Sequence, residues 1–208
     1  MTTQTSKRDI QISKSLSYLL RHGAVKEKLN INSEGYVSID DILKHQRLKS
    51  HKTSMDDLVR IVNDNDKKRF TIIEDMICAN QGHSIATVSD DNLELLTPST
   101  IPDEIYHGTY KKKLPEIYES GGLCKMSRNH IHFTSSKLAN ISGIRYNVDA
   151  LIYLNVQKCM DHGFQFYKSL NDVVLCLGDE KGYIGVEFFE KIVDKKTGEC
   201  IEVDGKVQ

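Results

Sequence analysis

Between Ile10 and Arg21 the apolar residues Ile12, Leu16, Leu19 and Leu20 recur on one helical face. Gly23 follows where a left-handed C′ residue belongs, so this spacing predicts a helix ending at Arg21-His22. Ser38-Ile-Asp-Asp41 and Ser54-Met-Asp-Asp57 each set a serine three residues before an acid and ahead of apolar positions, the pattern of a capping box opening a short helix. After the polar run Asn63 to Asp66 the pattern becomes strand-like. Arg69-Phe-Thr-Ile-Ile73 predicts one strand, Glu74-Asp75 a turn, and Met76-Ile-Cys-Ala-Asn80 a second strand. Three helices followed by a hairpin point to a winged helix-turn-helix.

Residues 86–103, with Asp90-Asp91, Pro98, Ser99, Thr100 and Pro102, have the composition of a linker. Beyond them the chain changes character. Ile105 to Thr109, His130 to Phe133, Ala150 to Val156, Val173 to Leu177 and Val186 to Phe189 read as β-rich runs, with a helix from Leu114 to Ser120 stopped by Gly121-Gly122. The expected class is α+β, with a helical lobe over residues 1–97 and a mostly β lobe over residues 98–208.

A length of 208 residues accommodates two small cores. The net charge of −1 excludes a general basic coat for nucleic acid, so any such contact must be local. One candidate is Lys44-His-Gln-Arg-Leu-Lys-Ser-His-Lys52, which has no acid and reads either as a solvated surface or as a contact for RNA phosphates. No stretch approaches the roughly 18 apolar residues of a membrane span, and Met1 to Arg8 is too polar for a secretory signal. The 5 cysteines are widely spaced without a C-x-x-C, which suggests reduced structural thiols in an intracellular protein, nuclear or cytoplasmic.

The candidate chemistry lies in arginine and histidine. Arg21-His22, Arg69 and Arg128-Asn-His-Ile-His132 would bring guanidinium forks matched to phosphate oxygens together with an imidazole that titrates near neutrality. Arg-His at a helix C-terminus also has a plain explanation in the helix macrodipole, so the pair acquires meaning only from its companions. His107-Gly-Thr109 follows a strand; it is either a turn glycine beside a half-buried histidine or a place where backbone, hydroxyl and imidazole meet a ribose or phosphate. His130 and His132, two apart on a strand, share a face, but no third ligand lies nearby, so hydrogen bonding in a site is favoured over metal. Asn80-Gln-Gly-His-Ser84 is either a polar turn with Gly82 at positive φ or part of the same chemistry. There is no P-loop, no dinucleotide-binding glycine fingerprint and no nucleophile elbow.

In this order Ser13 to His22, Gly35-Tyr-Val, Lys68-Arg-Phe70, Asn80 to Ser84, His107-Gly-Thr109 and Met126 to His132 resemble the NAD-dependent tRNA 2′-phosphotransferases. Gly163-Phe-Gln-Phe-Tyr with Ser169, Asn171 and Val173 extends the likeness to about Phe189. The resemblance implies an N-terminal winged-helix lobe and a C-terminal ADP-ribosyltransferase-like lobe that binds NAD. It also implies a metal-independent reaction on RNA bearing an internal 2′-phosphate, by a monomer. The 2′-phosphate attacks C1″ of NAD and expels nicotinamide. The ADP-ribose O2″ then attacks the phosphate, releasing 2′-OH RNA and ADP-ribose 1″,2″-cyclic phosphate.

By the same resemblance Arg21, Arg69 and Arg128 hold the transferred phosphate and His22 contacts O2″. His107, Gly108, Thr109, Ser127, Asn129, His130, His132, Gly143 and Arg145 would line the NAD site. One departure is Cys78, where many members carry arginine, so no phosphate contact carries over to that position. Two other classes fit parts of the chain. A non-enzymatic winged-helix reader of nucleic acid accounts for the first half alone. A transferase that adds ADP-ribose to a protein or to a nucleic-acid terminal phosphate shares the cofactor lobe, yet no firm candidate for its usual glutamate is evident.

Overall fold

The computed structural model describes residues 6–65, 67–137 and 146–202. The chain divides into two compact units, Met1–Asn92 and Leu93–Gln208.

The first unit opens with α1 (Lys7–Tyr18), whose N-cap Ser6 accepts from the Asp9 amide. A π-helical turn, Leu19–Gly23, continues it. There follow β1 (Tyr36–Ser38), α2 (Ile39–Lys44), α3 (Gln46–Lys49), α4 (Met55–Asn63), β2 (Phe70–Ile73) and β3 (Met76–Ala79). β3 is the centre of an antiparallel sheet in the order β1-β3-β2. Its register pairs Cys78 with both Tyr36 and Thr71. Ile12, Leu16, Leu19 and Leu20 are fully buried with Ile42, Leu58, Phe70 and Ile77, so the stripe expected from the sequence is the core face.

Ser54 makes the full capping box with Asp57. Ser38 caps without its side chain, because it also ends β1 and the following Ile39 amide is taken by the Asp75 carbonyl, 2.8 Å away. α1 and α4 are cross-linked by charge: Arg60 donates to Asp9 at 2.6 Å and to Asp57 at 2.6 Å, while Arg8 reaches both Asp57 oxygens at 2.8 and 2.6 Å. These donors hold both carboxyls below their ordinary range. The cationic run from Lys44 to Lys52 contains α3, a helix the sequence reading left as a connection. Burial of Leu48 anchors it. Arg47 stacks 4.2 Å above the Tyr18 ring and lies 3.5 Å from Glu27, so part of this run is committed to its own fold.

The second unit is built of short antiparallel strands. β4 (Glu94–Leu96), β5 (Tyr106–Thr109), a 3-10 turn (Lys111–Lys113), α5 (Leu114–Glu119), β6 (Gly122–Cys124) and β7 (Ile131–Phe133) come first. After them come β8 (Ala150–Leu154), α6 (Val156–Asp161), β9 (Phe166–Lys168), β10 (Val174–Cys176), β11 (Tyr183–Gly185), a 3-10 turn (Val186–Phe188) and β12 (Phe189–Asp194). They form sheets in the orders β4-β9-β10-β7, β11-β6 and β12-β8-β5. A bridge between Tyr106 and Thr134 runs from β5 to the end of β7.

Two expectations need correction. Residues 94–96 lie inside the stretch read as linker, yet they pair with β9, so the division falls at Asn92/Leu93 rather than after residue 97. Val186 to Phe188 is a 3-10 turn; only from Phe189 does the chain become strand, because the turn carries it from β11 into β12. The architecture is mixed α+β. All five cysteines are free thiols, and burial pushes Cys78 and Cys176 up to about 11 and Cys159 up to about 12, as inert core thiols. Among the described residues no helix is long and apolar enough to cross a membrane.

Candidate active site

In the first unit the candidate chemistry rests on the π turn. Its wider ring keeps Leu19, Leu20 and Gly23 buried while Arg21 is half-buried and His22 exposed. The sequence reading made Gly23 a left-handed cap, and the structure overturns this. Gly23 lies inside the turn, and it is glycine because a Cβ there would stand 2.6 Å from the Tyr18 ring. The true C′ residue is Lys28, at φ 59. Its amide bonds the Val25 carbonyl at 3.2 Å and the next amide, Leu29, bonds Ala24 at 2.9 Å, the paired closure of a Schellman motif.

The segment Asn80 to Ser84 leaves β3 and closes onto this turn. Gly82 takes φ +88, a conformation that strains any side chain, and its Cα faces the Arg21 guanidinium, 3.5 Å from where a Cβ would stand. The Ser84 amide donates to the Arg21 carbonyl at 2.9 Å, and Ser84 Oγ lies 2.9 Å from His22 Nδ1. At the other end Asn80 is buried. Its amide bonds the Arg69 carbonyl at 2.9 Å, its Nδ2 donates to Lys68 O at 2.7 Å, and its Oδ1 accepts from Thr71 at 2.6 Å. Arg69 donates through Nη1 to Asn65 Oδ1 at 2.9 Å. One five-residue loop thereby ties the main chain of Arg69 to that of Arg21. The sequence alone gives Ser84, Asn80 and Asn65 no role; Ser84 meets its partner only across 62 positions, and no spacing rule joins them, whereas Asn65 lies four residues before Arg69. Cys78, just before the loop, is buried against Tyr36 in the sheet.

In the second unit His107, Gly108, Thr109 and His132 sit on regular strands, and Ser127 to His130 on the turn before β7. His107 is in β5 and its Nδ1 lies 2.9 Å from the His132 carbonyl; His132 Nδ1 lies 3.1 Å from the His130 carbonyl. A carbonyl only accepts, so both Nδ1 atoms donate. His130 and His132 are each only 7% exposed, and Thr109, on β5 with His107, is buried as well. The His130 ring meets Tyr167 edge-on at 6.3 Å and His107 meets Phe133 at 6.1 Å. Ser127 is exposed, whereas Arg128 and Asn129 are half-buried in a turn closed by the Arg128 amide on the Lys125 carbonyl at 3.1 Å. Gly108 pairs with Leu151 in the sheet. Gly143 and Arg145 lie outside the described residues. Among the described residues no cluster of His, Cys, Asp or Glu is arranged to hold a metal ion.

The first unit therefore holds cations and an oriented imidazole, and the second holds imidazoles bonded to main-chain carbonyls and a buried threonine hydroxyl. Residues 7–178 match the model of the family described as RNA 2′-phosphotransferase, Tpt1/KptA family. The chain is 42% identical over 205 residues to a tRNA 2′-phosphotransferase of Saccharomyces cerevisiae, covering 92% of this chain and 86% of the relative. It is 40% identical over 204 residues to tRNA 2′-phosphotransferase 1 of Danio rerio, covering 93% and 89%. To a probable RNA 2′-phosphotransferase of Acaryochloris marina it is 37% identical over 167 residues, covering 79% and 89%.

Proposed function

The chain belongs to the Tpt1/KptA family of RNA 2′-phosphotransferases, and from that premise we propose how its own residues carry the reaction. Its activity is that of a tRNA 2′-phosphotransferase, a transferase of tRNA splicing. In our reading the phosphate acceptor is NAD, consumed as co-substrate, with nicotinamide and ADP-ribose 1″,2″-cyclic phosphate as the small products. The first unit acts as a winged-helix lobe for the RNA phosphate, and the second as an ADP-ribosyltransferase-like lobe for NAD.

A phosphate monoester carries about −1.5 to −2 charge at pH 7, so it attacks without a general base. It requires placement and neutralisation. Arg21 and Arg69 supply both, and by the family likeness the same role is assigned to Arg128. When the phosphate is attacked in turn, charge builds on its equatorial oxygens, and the guanidiniums stabilise that state more than the ground state. His22 takes the proton of the attacking O2″. The NAD residues are His107, Gly108, Thr109, Ser127, Asn129, His130 and His132, with Gly143 and Arg145. The fit to NAD rests on the residue types: two imidazoles anchored by main-chain carbonyls and a buried threonine hydroxyl are groups that hydrogen-bond ribose hydroxyls and a carboxamide. Enzyme and RNA act in a monomeric complex.

The observation that carries this reading is the loop Asn80 to Ser84, which ties Arg69, Arg21 and His22 together although they come from separate segments. Incubating the protein with RNA bearing an internal 2′-phosphate should remove the phosphate only when NAD is present and equally well in EDTA. The small product should be the cyclic ADP-ribose phosphate. Inorganic phosphate released without NAD would overturn the assignment.

A further inference from the structure

We propose that the exposed face formed by α3 and the C-terminal half of α1 binds the RNA strand where it runs on from the transferred 2′-phosphate. Lys14, Arg47, Lys49 and Lys52 are its phosphate contacts. The proposal rests on the reading of Arg21 as a holder of the 2′-phosphate, and every residue in it belongs to the first unit.

α3 is a single helical turn. Its Leu48 is fully buried and fixes it to the core, which leaves Gln46, Arg47 and Lys49 exposed. The turn is joined to α1 at both ends. At one end the Arg47 guanidinium lies 4.2 Å over the Tyr18 ring; at the other Arg8 donates to the carbonyls of His51 and Lys52, each at 2.9 Å. Lys14 is exposed and stands at i, i+4 to Tyr18, on the side of α1 that carries Arg47. Lys52 closes α3 at φ 51, with its amide on the Lys49 carbonyl at 2.9 Å and the Thr53 amide on Leu48 at 3.2 Å. The backbone there favours glycine, so the lysine places a charge on this face at the expense of strain.

No acid occurs from Ile10 to Lys26 or from Ile42 to Met55. The carboxyls that border the face are already engaged. Glu27 takes the Tyr18 hydroxyl at 3.3 Å, His45 at 3.3 Å and Arg47 at 3.5 Å, and Asp57 takes Arg8 and Arg60. Among the described residues no ion pair includes Lys14, Lys49 or Lys52. A cationic face without acids suits a polyanion, and α1 runs from it directly into the turn that carries Arg21. Lysine meets the backbone rather than base edges, so the contact is tolerant of sequence. Lys52 lies beside the start of α1, about 20 Å along the axis from Arg21 at 1.5 Å of rise per residue. A stacked strand at about 3.4 Å per phosphate takes roughly six nucleotides to reach it. A trinucleotide centred on the 2′-phosphate falls short of that end.

The test compares a trinucleotide with a whole tRNA, each bearing one internal 2′-phosphate, on the full chain with Lys14→Gln, Lys49→Gln and Lys52→Gln combined. With NAD, KM for the tRNA should rise about tenfold and kcat stay within about twofold, while the trinucleotide keeps both constants within about twofold. Without NAD, fluorescence anisotropy of bound tRNA across a salt series should give a slope of log K against log salt that is shallower by about 2, the share of three phosphate contacts. Lys52→Gly alone should melt no lower than the native protein, because the backbone favours it, yet weaken tRNA binding about two- to threefold. An unchanged tRNA KM and salt slope in the combined variant would overturn the proposal. So would an equal loss on the trinucleotide, which would place the effect at the reacting phosphate. Arg21→Ala separates the two levels. If it leaves trinucleotide turnover intact, the reading of Arg21 fails; if it abolishes that turnover while the lysine variants bind tRNA normally, only the proposed face fails.

Discussion

The candidate residues of the first unit stand on irregular backbone, whereas in the second His107 and His132 stand on regular strands. Arg21 and His22 ride a π turn, and Arg69 precedes β2; the side chain of Ser84, 62 positions away, steadies His22, and that of Asn65 steadies Arg69. His107 and His132 are held by carbonyls of the sheet itself. Groups that must track a changing phosphate sit where geometry is set by a few replaceable side chains. Groups that only recognise a ligand sit where the ladder sets it. The first arrangement is tunable and fragile, the second stiff.

The largest effect expected concerns the phosphate clamp. Arg69→Ala or Arg128→Ala should lower the second-step rate about 10²–10³-fold, with a smaller loss in the first, because that is where charge accumulates. Single-turnover rates on 2′-phosphorylated RNA check it, and equal losses would remove the argument for selective stabilisation. The next sets the two backbones against each other. In Gly122→Ala the new Cβ would meet the Ile184 carbonyl at 2.1 Å, backbone against backbone, so β6 and β11 must part. We expect a cost of about 3 kcal/mol or more in denaturant titration. Gly23→Ala meets only the Tyr18 ring. That ring can give, so about 1–2 kcal/mol is expected, with activity falling further than stability because Arg21 and His22 move with it.

Asn80→Ala tests the loop's anchor. Losing two side-chain hydrogen bonds in a buried place should cost about 2 kcal/mol and slow transfer beyond what the stability loss explains. The smallest effect lies on the outer side of α1. Asp9 and Asp57 have carboxyls depressed by Arg60 and Arg8, so the stability they give is whole above the ordinary carboxylate value of 3.8 and is lost as pH falls through their lower folded values. Melting curves between about pH 5 and 2 should show this decline, and Asp57→Asn should flatten it while costing about 1 kcal/mol at neutrality.

The same contrast governs what was legible in the chain. The β2-β3 hairpin, the Ser54 cap and the apolar face of α1 could be read because each is decided by neighbours within a few residues. Gly23 was misread because its reason for being glycine is the Tyr18 ring, not the backbone conformation that usually calls for one. β4 was hidden in a linker-like composition, since a three-residue strand takes its identity from β9, over sixty residues on. Arg21, His22, Arg69 and Arg128 are proposed from motif order. Ser84 was visible as a letter in a motif, but its bond to His22 exists only once the loop folds back.

The π turn has a consequence for chain length. Around an α-helix each residue adds about 100° of rotation and 1.5 Å of rise. Deleting one residue between Leu19 and Gly23 would let the turn relax to ordinary α geometry and swing everything before it relative to everything after by that amount, separating Arg21 from the Ser84 amide. The number of residues in the turn cannot change without breaking that contact. Among descendants of such a chain, gains and losses of length should collect in the surface turns and leave this count of five untouched.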